Sequence, residues 1–258
     1  TKSGMKKFFK VVSIVFLCVV ALFSVLTATF LLVPTKMELY EEKLIISSDF
    51  ATFYDRRNCV FAFDENKTKS SESFSEDVKK VFVEAEDRNF YKHKGLDYKR
   101  MIKAFFVNLA SLSFRQGAST ISQQLVKNTH LTNEKTILRK LKEIKLTQKL
   151  EKEYDKETII TAYLNVIYFG ENCYGLTAAA DCYFNKTPDE LTLSETALLA
   201  AIIPSPSRSN PFENPSLAKT KRNALLKTML DRNKISKAEY DEAIGESLPS
   251  AKKEKTEA

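Results

Sequence analysis

The chain has 258 residues, enough for one large domain or two small ones, and 43% of them are hydrophobic, so a sizeable core is within reach. Glycine and proline are scarce at 6 and 7, tryptophan is absent and strand-like alternation is rare, which points to a mainly helical protein. The net charge is +7, but Lys2, Lys6, Lys7 and Lys10 carry four of those charges, and the +3 that remains is too weak to argue for nucleic acid as a partner. It suits a protein lying near anionic headgroups or binding a phosphorylated lipid.

Those lysines precede Val11 to Thr35, "VVSIVFLCVVALFSVLTATFLLVPT", which holds no charged residue. At helical rise this stretch reaches roughly 37 Å, more than a hydrocarbon core of about 30 Å. A transmembrane helix is therefore expected over 11–35. The basic flank places a cytoplasmic tail at 1–10 and the remainder outside the cell membrane. Residues 36–73 read as a juxtamembrane segment. Within it "DFATFYDRRNCVFAF" (49–63) suggests a β-hairpin, and "DENKTKSSES" a polar linker.

Helical signals then follow one another over 74–246. Ser75 suits a cap for a helix with Val78, Val81, Phe82 and Ala85 on one face. Asp97 suits the next cap, with Met101, Ala104, Phe105, Asn108 and Leu109 at helical spacing. Thr132 precedes an amphipathic run through Ile137, Leu138, Leu141 and Ile144, and Asp155 opens a helix expected to end near Tyr168. Capping boxes are written in "TLSE" (192–195) and "SKAE" (236–239), and Asn214 then Pro215 suits an N-cap with proline at the first helical position. "PSPSRSNPFENP" (204–215) reads as a loop, and 247–258 as a flexible tail. Of the cysteines, Cys18 lies in the apolar span; Cys59, Cys173 and Cys182 have no zinc-like spacing and are odd in number, so free or buried thiols are the expectation, with a pairing of Cys173 and Cys182 left open.

Three stretches carry candidate chemistry. "EAEDRNFYKHKGLDYKR" (84–100) packs Glu84, Glu86 and Asp87 together. Glu86 falls beside the apolar stripe of its helix, where partial desolvation raises a carboxyl towards the range of a general base; the plainer reading is a solvated helix end. "RQGASTISQQLVKN" (115–128) sets Ser119, Thr120, Ser122, Gln123 and Gln124 at a helix start, whose free N–H groups suit sugar hydroxyls or phosphate, with Lys127 one turn beyond Gln123. "RKLKEIKLTQKLE" (139–151) places Arg139 four residues before Glu143, a spacing equally common on solvated helix faces. His93 and His130 are the only histidines, and neither has a partner at metal-ligand spacing.

In their order, "EDRNFYKHKGLD", "GASTISQQLVKN", "RKLKE", "YLNVIYFG" and "YFNK" with "LTLSETALLAAIIPSPSRSNP" resemble the family 51 glycosyltransferases. These are the peptidoglycan glycosyltransferases, which occur alone or as the N-terminal module of class A penicillin-binding proteins. The similarity runs from about Asp49 to Ala243. The resemblance implies a lysozyme-like, two-lobed helical domain that polymerises lipid II, with lipid-linked glycan as donor and undecaprenyl pyrophosphate released. It implies Glu86 as the base. It implies Lys127, Arg139 and Lys140 as cations for the departing diphosphate, with Glu143 orienting them or helping to hold a divalent Mg or Mn ion. Ser119, Thr120, Gln123, Gln124 and Asn128 match the sugar- and phosphate-binding motif, and Asp87 and His93 a cleft wall. "YLNVIYFG" and the apolar residues of the first lobe are candidates for a lipid-facing surface. The membrane and a transpeptidase or other cell-wall synthesis protein are the implied partners.

The pattern departs from the family's at four points. Ser122 stands in place of threonine, Thr161 of glutamate and Thr147 of alanine, and "SPSRSNP" lacks a tyrosine before its final Asn-Pro. Both a monofunctional enzyme and part of a bifunctional protein are compatible with the resemblance. The competing functions are a glycan-cleaving enzyme of lysozyme type and a non-catalytic membrane scaffold.

Overall fold

The computed structural model describes residues 74–111, 117–131, 134 and 136–249 in full, the backbone at 53–54 and 60–62, and helical positions scattered between 10 and 32. Most of the expected 11–35 span lies outside the described residues, and among those described no helix is long and apolar enough to cross a membrane. Two short strands, β1 (Phe53–Tyr54) and β2 (Val60–Ala62), pair antiparallel with Phe53 opposite Ala62. They fall within the segment read as a hairpin, but the connection between them lies outside the described residues. So does the tail beyond 249.

Nine helices of the described residues follow: α1 (Glu76–Glu86), α2 (Tyr98–Ser111), α3 (Ile121–His130), α4 (Ile137–Glu153), α5 (Lys156–Val166), α6 (Leu176–Phe184), α7 (Leu193–Ile202), α8 (Pro215–Asp231) and α9 (Lys237–Gly245). Most begin where a side chain accepts a free backbone N–H. Ser75 accepts from Val78, Asp155 from Thr158, and Thr192 and Ser236 close capping boxes with Glu195 and Glu239. The cap of α4 is Thr136, whose hydroxyl accepts from the Arg139 N–H. The helix opened by Asp155 ends at Val166, two residues short of the expected end. Helix α6 was not anticipated. It begins at Gly175, whose φ of +81° suits glycine and whose Cβ would sit 2.6 Å from the Asn165 carbonyl oxygen. It stops at Asn185 in the left-handed conformation.

Helix α7 forms the centre. Its run "LSETALLAAI" is apolar nearly all round, and Ala197, Leu198, Leu199, Ala200 and Ile202 are buried, as an interior helix requires. It packs between α1 and α8, while α3 packs between α4 and α5, and α9 closes against α8. Phe82 of α1 meets Phe169 edge to face at 6.0 Å, within one core that also takes in Phe90, Leu125, Ile160 and Leu226. The buried Arg222 guanidinium is satisfied by the Ser194 hydroxyl and the carbonyls of Ile244 and Glu246, which pins the segment after α9 to α7 and α8.

Two apolar stripes read from the sequence are not core. On α2 only Ala104 is buried, while Phe105 and Leu109 are 63% and 57% exposed. On α4 Ile137 and Leu138 are exposed, and the inward face is instead Glu143, Leu146, Thr147 and Leu150. The reverse correction applies to "YLNVIYFG": Tyr163, Leu164, Ile167 and Phe169 are buried, so this run is core rather than a lipid-facing surface.

Candidate active site

Glu86 is the last residue of α1 and is 9% exposed. Its position follows from the stripe that buries Val78 and Phe82, since the same face carries the helix end inward. Gln124 of α3 donates its side-chain amide to Glu86 Oε2 at 2.7 Å. Burial pushes the Glu86 carboxyl above its ordinary value; the Gln124 hydrogen bond and the Arg100 charge pull the other way, and Asp87 adds a smaller upward push. The clustering of acids is thus a lesser cause of the shift than desolvation. Glu84 takes no part, because it faces Arg232 at 2.9 Å and Lys234 at 3.5 Å.

Asp87 is fully buried and acts as a strut. Its Oδ2 accepts from the backbone N–H of Ile121, the first residue of α3, and lies 2.9 Å from His93 Nε2. Its Oδ1 makes no hydrogen bond, and the Arg100 guanidinium is 3.7 Å away. These contacts bind the end of α1, the loop carrying His93 and the start of α3 into one unit.

The start of α3 is a capping box. The Thr120 hydroxyl accepts from the Gln123 N–H and donates to the Gly95 carbonyl at 2.6 Å, while Gln123 Oε1 accepts from the Thr120 N–H. Thr120 is therefore spent on structure, as is Ser122, whose hydroxyl donates to Glu151. Ser119 is half-buried ahead of the helix, and Lys127 and Asn128 are exposed further along it. Lys127 makes no ion pair among the described residues. It shares no environment with Gln123, which is 1% exposed.

Gln123 donates its free amide hydrogens to Glu143 Oε1 at 3.2 Å. Glu143, 1% exposed on α4, also receives Arg139 on Oε2 at 2.9 Å and Lys140 on Oε1. Arg139 and Lys140 themselves keep partial solvent access. A buried carboxylate thus fixes two cations at the protein surface, which suits the recognition of a diphosphate. The donor set does not suit a divalent ion, because both Glu143 oxygens already hold cationic groups. Among the described residues no group of three or more His, Cys, Asp or Glu side chains converges.

Arg100 and Tyr163 were not anticipated at the site. Arg100, on the first turn of α2, donates to the Glu86 carbonyl at 2.6 Å. Tyr163, on α5, directs its hydroxyl at Gln124 Oε1 from 3.4 Å. Neither approach has a local sequence signal, since each partner is at least fourteen positions away. Cys173 is buried and Cys182 half-buried, and no disulfide joins the two; Cys18 and Cys59 lie outside the described residues.

Residues 58–230, more than half of the chain, match the transglycosylase family. The chain is 44% identical over 186 residues to penicillin-binding protein 1A of Aquifex aeolicus, covering 72% of this chain and 26% of that protein. It is 41% identical over 175 residues to the protein of the same name from Neisseria gonorrhoeae, covering 68% and 22%. The chain therefore spans about a quarter of the length of these relatives. Against the crystal structure of penicillin-binding protein 1A from Haemophilus influenzae, identity is 41% over 38% of this chain and 15% of that one, with a TM-score of 0.37. On the family match, this chain belongs to the transglycosylases, the family 51 peptidoglycan glycosyltransferases.

Proposed function

We propose that the protein is a peptidoglycan glycosyltransferase that polymerises lipid II into β-1,4-linked glycan. The observation that carries this reading is that α3 bridges two chemically different carboxylates. Gln124 holds the buried Glu86, whose raised pKa suits a base, and Gln123 holds Glu143, whose oxygens fix Arg139 and Lys140. Glu86 takes the proton from the 4-hydroxyl of the acceptor's GlcNAc. The acceptor oxygen bonds to C1 of the donor's MurNAc as the bond from C1 to the diphosphate oxygen breaks, so the configuration inverts. The electron pair leaves with undecaprenyl pyrophosphate, whose charge Arg139 and Lys140 meet, with Lys127 reaching the diphosphate from the exposed side of α3. Ser119, Gln124 and Asn128 bind sugar or phosphate around this line. Thr120 and Gln123 act indirectly, by shaping the start of α3.

The chain is further proposed to work at the outer face of the cell membrane. A single span at 11–35 with a cytoplasmic N-terminus would tether the domain at 74–246 there, in a lysozyme-like two-lobed arrangement. Exposed Ile102, Phe105, Phe106 and Leu109 on α2 support contact with lipid, since apolar side chains grouped on one helix face are unusual on a water-facing surface. Tethering raises the effective concentration of a lipid-linked substrate. A transpeptidase that cross-links the product is the proposed partner.

The test is incubation of the full chain with lipid II and analysis of product length. Long glycan strands are expected, and Glu86→Gln should lower polymerisation by a factor of about 10² or more. Shortening of added glycan in place of polymer growth would establish the glycan-cleaving alternative.

A further inference from the structure

Tyr163 is the group on the far side of Gln124 from Glu86. It is fully buried on α5, and its hydroxyl donates to Gln124 Oε1 at 3.4 Å while the Gln124 amide nitrogen donates to Glu86 Oε2 at 2.7 Å. The primary amide of glutamine has two ends of opposite character. Its neighbours are a hydroxyl, which can donate or accept, and a carboxylate, which when ionised only accepts, so only one of its two flip states both satisfies an ionised Glu86 and takes the Tyr163 O–H as a donor.

From this arrangement we infer that Tyr163 is a positioning residue for the reaction: its buried hydroxyl locks the Gln124 amide in the orientation that presents N–H to Glu86. The inference rests on the reading of Glu86 as the base. Without the phenol hydroxyl, the amide is free to turn its oxygen towards Glu86. That orientation repels an ionised carboxylate and accepts a hydrogen bond from a protonated one. The flipped state therefore favours the form of Glu86 that cannot take a proton. A phenol suits the locking role, because burial, aided by the charges of Glu86 and Asp87, holds its own ionisation well above the ordinary tyrosine range. Tyr163 remains a donor at every working pH.

The other groups facing Glu86 are Asp87 from its own chain segment and Arg100 from α2, neither of which touches the amide of Gln124. The polarisation runs in one direction, from phenol to amide to carboxylate, and such chains strengthen each member.

The experiment is the pH profile of lipid II polymerisation by the full chain and by Tyr163→Phe, which keeps the buried ring. The acid limb is expected to move up by about one pH unit, so that turnover below it falls about tenfold. KM should stay unchanged and the rate should recover at high pH. A loss of equal size at every pH, a raised KM with an unmoved limb, or an unchanged profile would overturn the assignment. Gln124→Leu should shift the limb in the same direction, and adding Tyr163→Phe to it should shift it no further. An additive shift would mean that Tyr163 acts by another route, and an unmoved limb in Gln124→Leu would overturn the relay even if Tyr163→Phe failed to fold. Glu86→Gln separates the two readings. If it is inactive and Tyr163→Phe has the parent profile, the positioning role alone fails; if it polymerises normally, the base assignment fails and the positioning role with it.

Discussion

Gln123 and Gln124, consecutive residues of α3, send their side-chain amides to different glutamates: Gln123 to Glu143 on α4, and Gln124 to Glu86 at the end of α1. Neighbours on a helix point about 100° apart, so one short segment serves two places at once. The segment is itself fixed at its start by the Asp87 carboxylate on the Ile121 N–H and by the Thr120 hydroxyl on the Gly95 carbonyl. The spacing between the proposed base and the cation cluster is thus set by the backbone of α3 rather than by flexible side chains, which is what the proposed one-step displacement needs.

The buried Glu86 carboxyl should trade stability for function. Burial raises its pKa, so the folded state holds its proton more tightly than the unfolded chain. The resulting penalty is absent below the ordinary carboxylate range, appears as pH rises, and is complete above the raised folded-state value. Glu86→Gln removes it. The variant should be more stable than the parent at neutral pH by about 0.5–2 kcal/mol, the usual scale of stabilising substitutions, and the difference should shrink towards zero in acid. Urea unfolding at several pH values measures this. In the parent enzyme, activity should fall on the acid side at a pH above the ordinary carboxylate range, because only the ionised form accepts a proton.

The ion cluster on α4 predicts an asymmetry. Glu143 is 1% exposed, whereas Arg139 and Lys140 retain contact with water. Removing both cations in Arg139→Met/Lys140→Met leaves a buried carboxylate with only Gln123, a change expected to cost about 3–5 kcal/mol. Glu143→Gln leaves cations that can turn outward, and should cost less than about 2 kcal/mol. Both should slow polymerisation, the double variant through lost charge and Glu143→Gln through lost orientation. Unfolding midpoints beside turnover on lipid II check the ordering; equal stability losses would argue against it.

How much of this was legible in the sequence varied with the range of the interaction. Ser75, Asp155, Thr192 and Ser236 cap helices as their local spacing suggested, because a cap involves residues three apart. The Arg139–Glu143 pair is equally local. Apolar periodicity tells which residues share a face but not what lies opposite, so the exposure of Phe105 and Leu109 on α2 could not be read from it. Helix α6 escaped because glycine at its start gives no side-chain cap. The contacts that define the site, Gln124 to Glu86 across 38 positions and Tyr163 to Gln124 across 39, belong to tertiary packing and leave no mark on spacing.

Thr147, which stands where the family resemblance led us to expect alanine, is fully buried with its hydroxyl unpartnered. Its methyl group faces Gly95, and its oxygen gains no hydrogen bond among the described residues. Thr147→Val keeps the branched shape and removes an unsatisfied polar atom. It should raise stability by about 1 kcal/mol, the lower end of the cost of burying an unpaired hydroxyl. Thermal unfolding of the two proteins is the check, and a destabilised variant would show that the hydroxyl has a partner in solution.

The same contact gives a paired prediction at Gly95. Its φ is +84°, and a Cβ there would lie 2.8 Å from Thr147 Cγ2 and 3.0 Å from Glu151 Cγ. Gly95→Ala therefore meets two separate costs, a left-handed backbone that alanine resists and a clash with α4. Together they should amount to about 2–4 kcal/mol, since each such cost is commonly about 1–2 kcal/mol. Thr147→Ala removes the nearest atom but neither the backbone strain nor the approach of Glu151. In the Thr147→Ala background, Gly95→Ala should thus cost less than in the parent, by about 1 kcal/mol, without becoming neutral. The Gly95 carbonyl accepts the hydroxyl that caps α3, so a displaced loop should also loosen Gln123 and Gln124. Turnover should fall with stability in Gly95→Ala and recover in part in the double variant. Full rescue would mean that contact with Thr147 alone sets the requirement for glycine, and no rescue would assign it to the backbone conformation and the approach of Glu151.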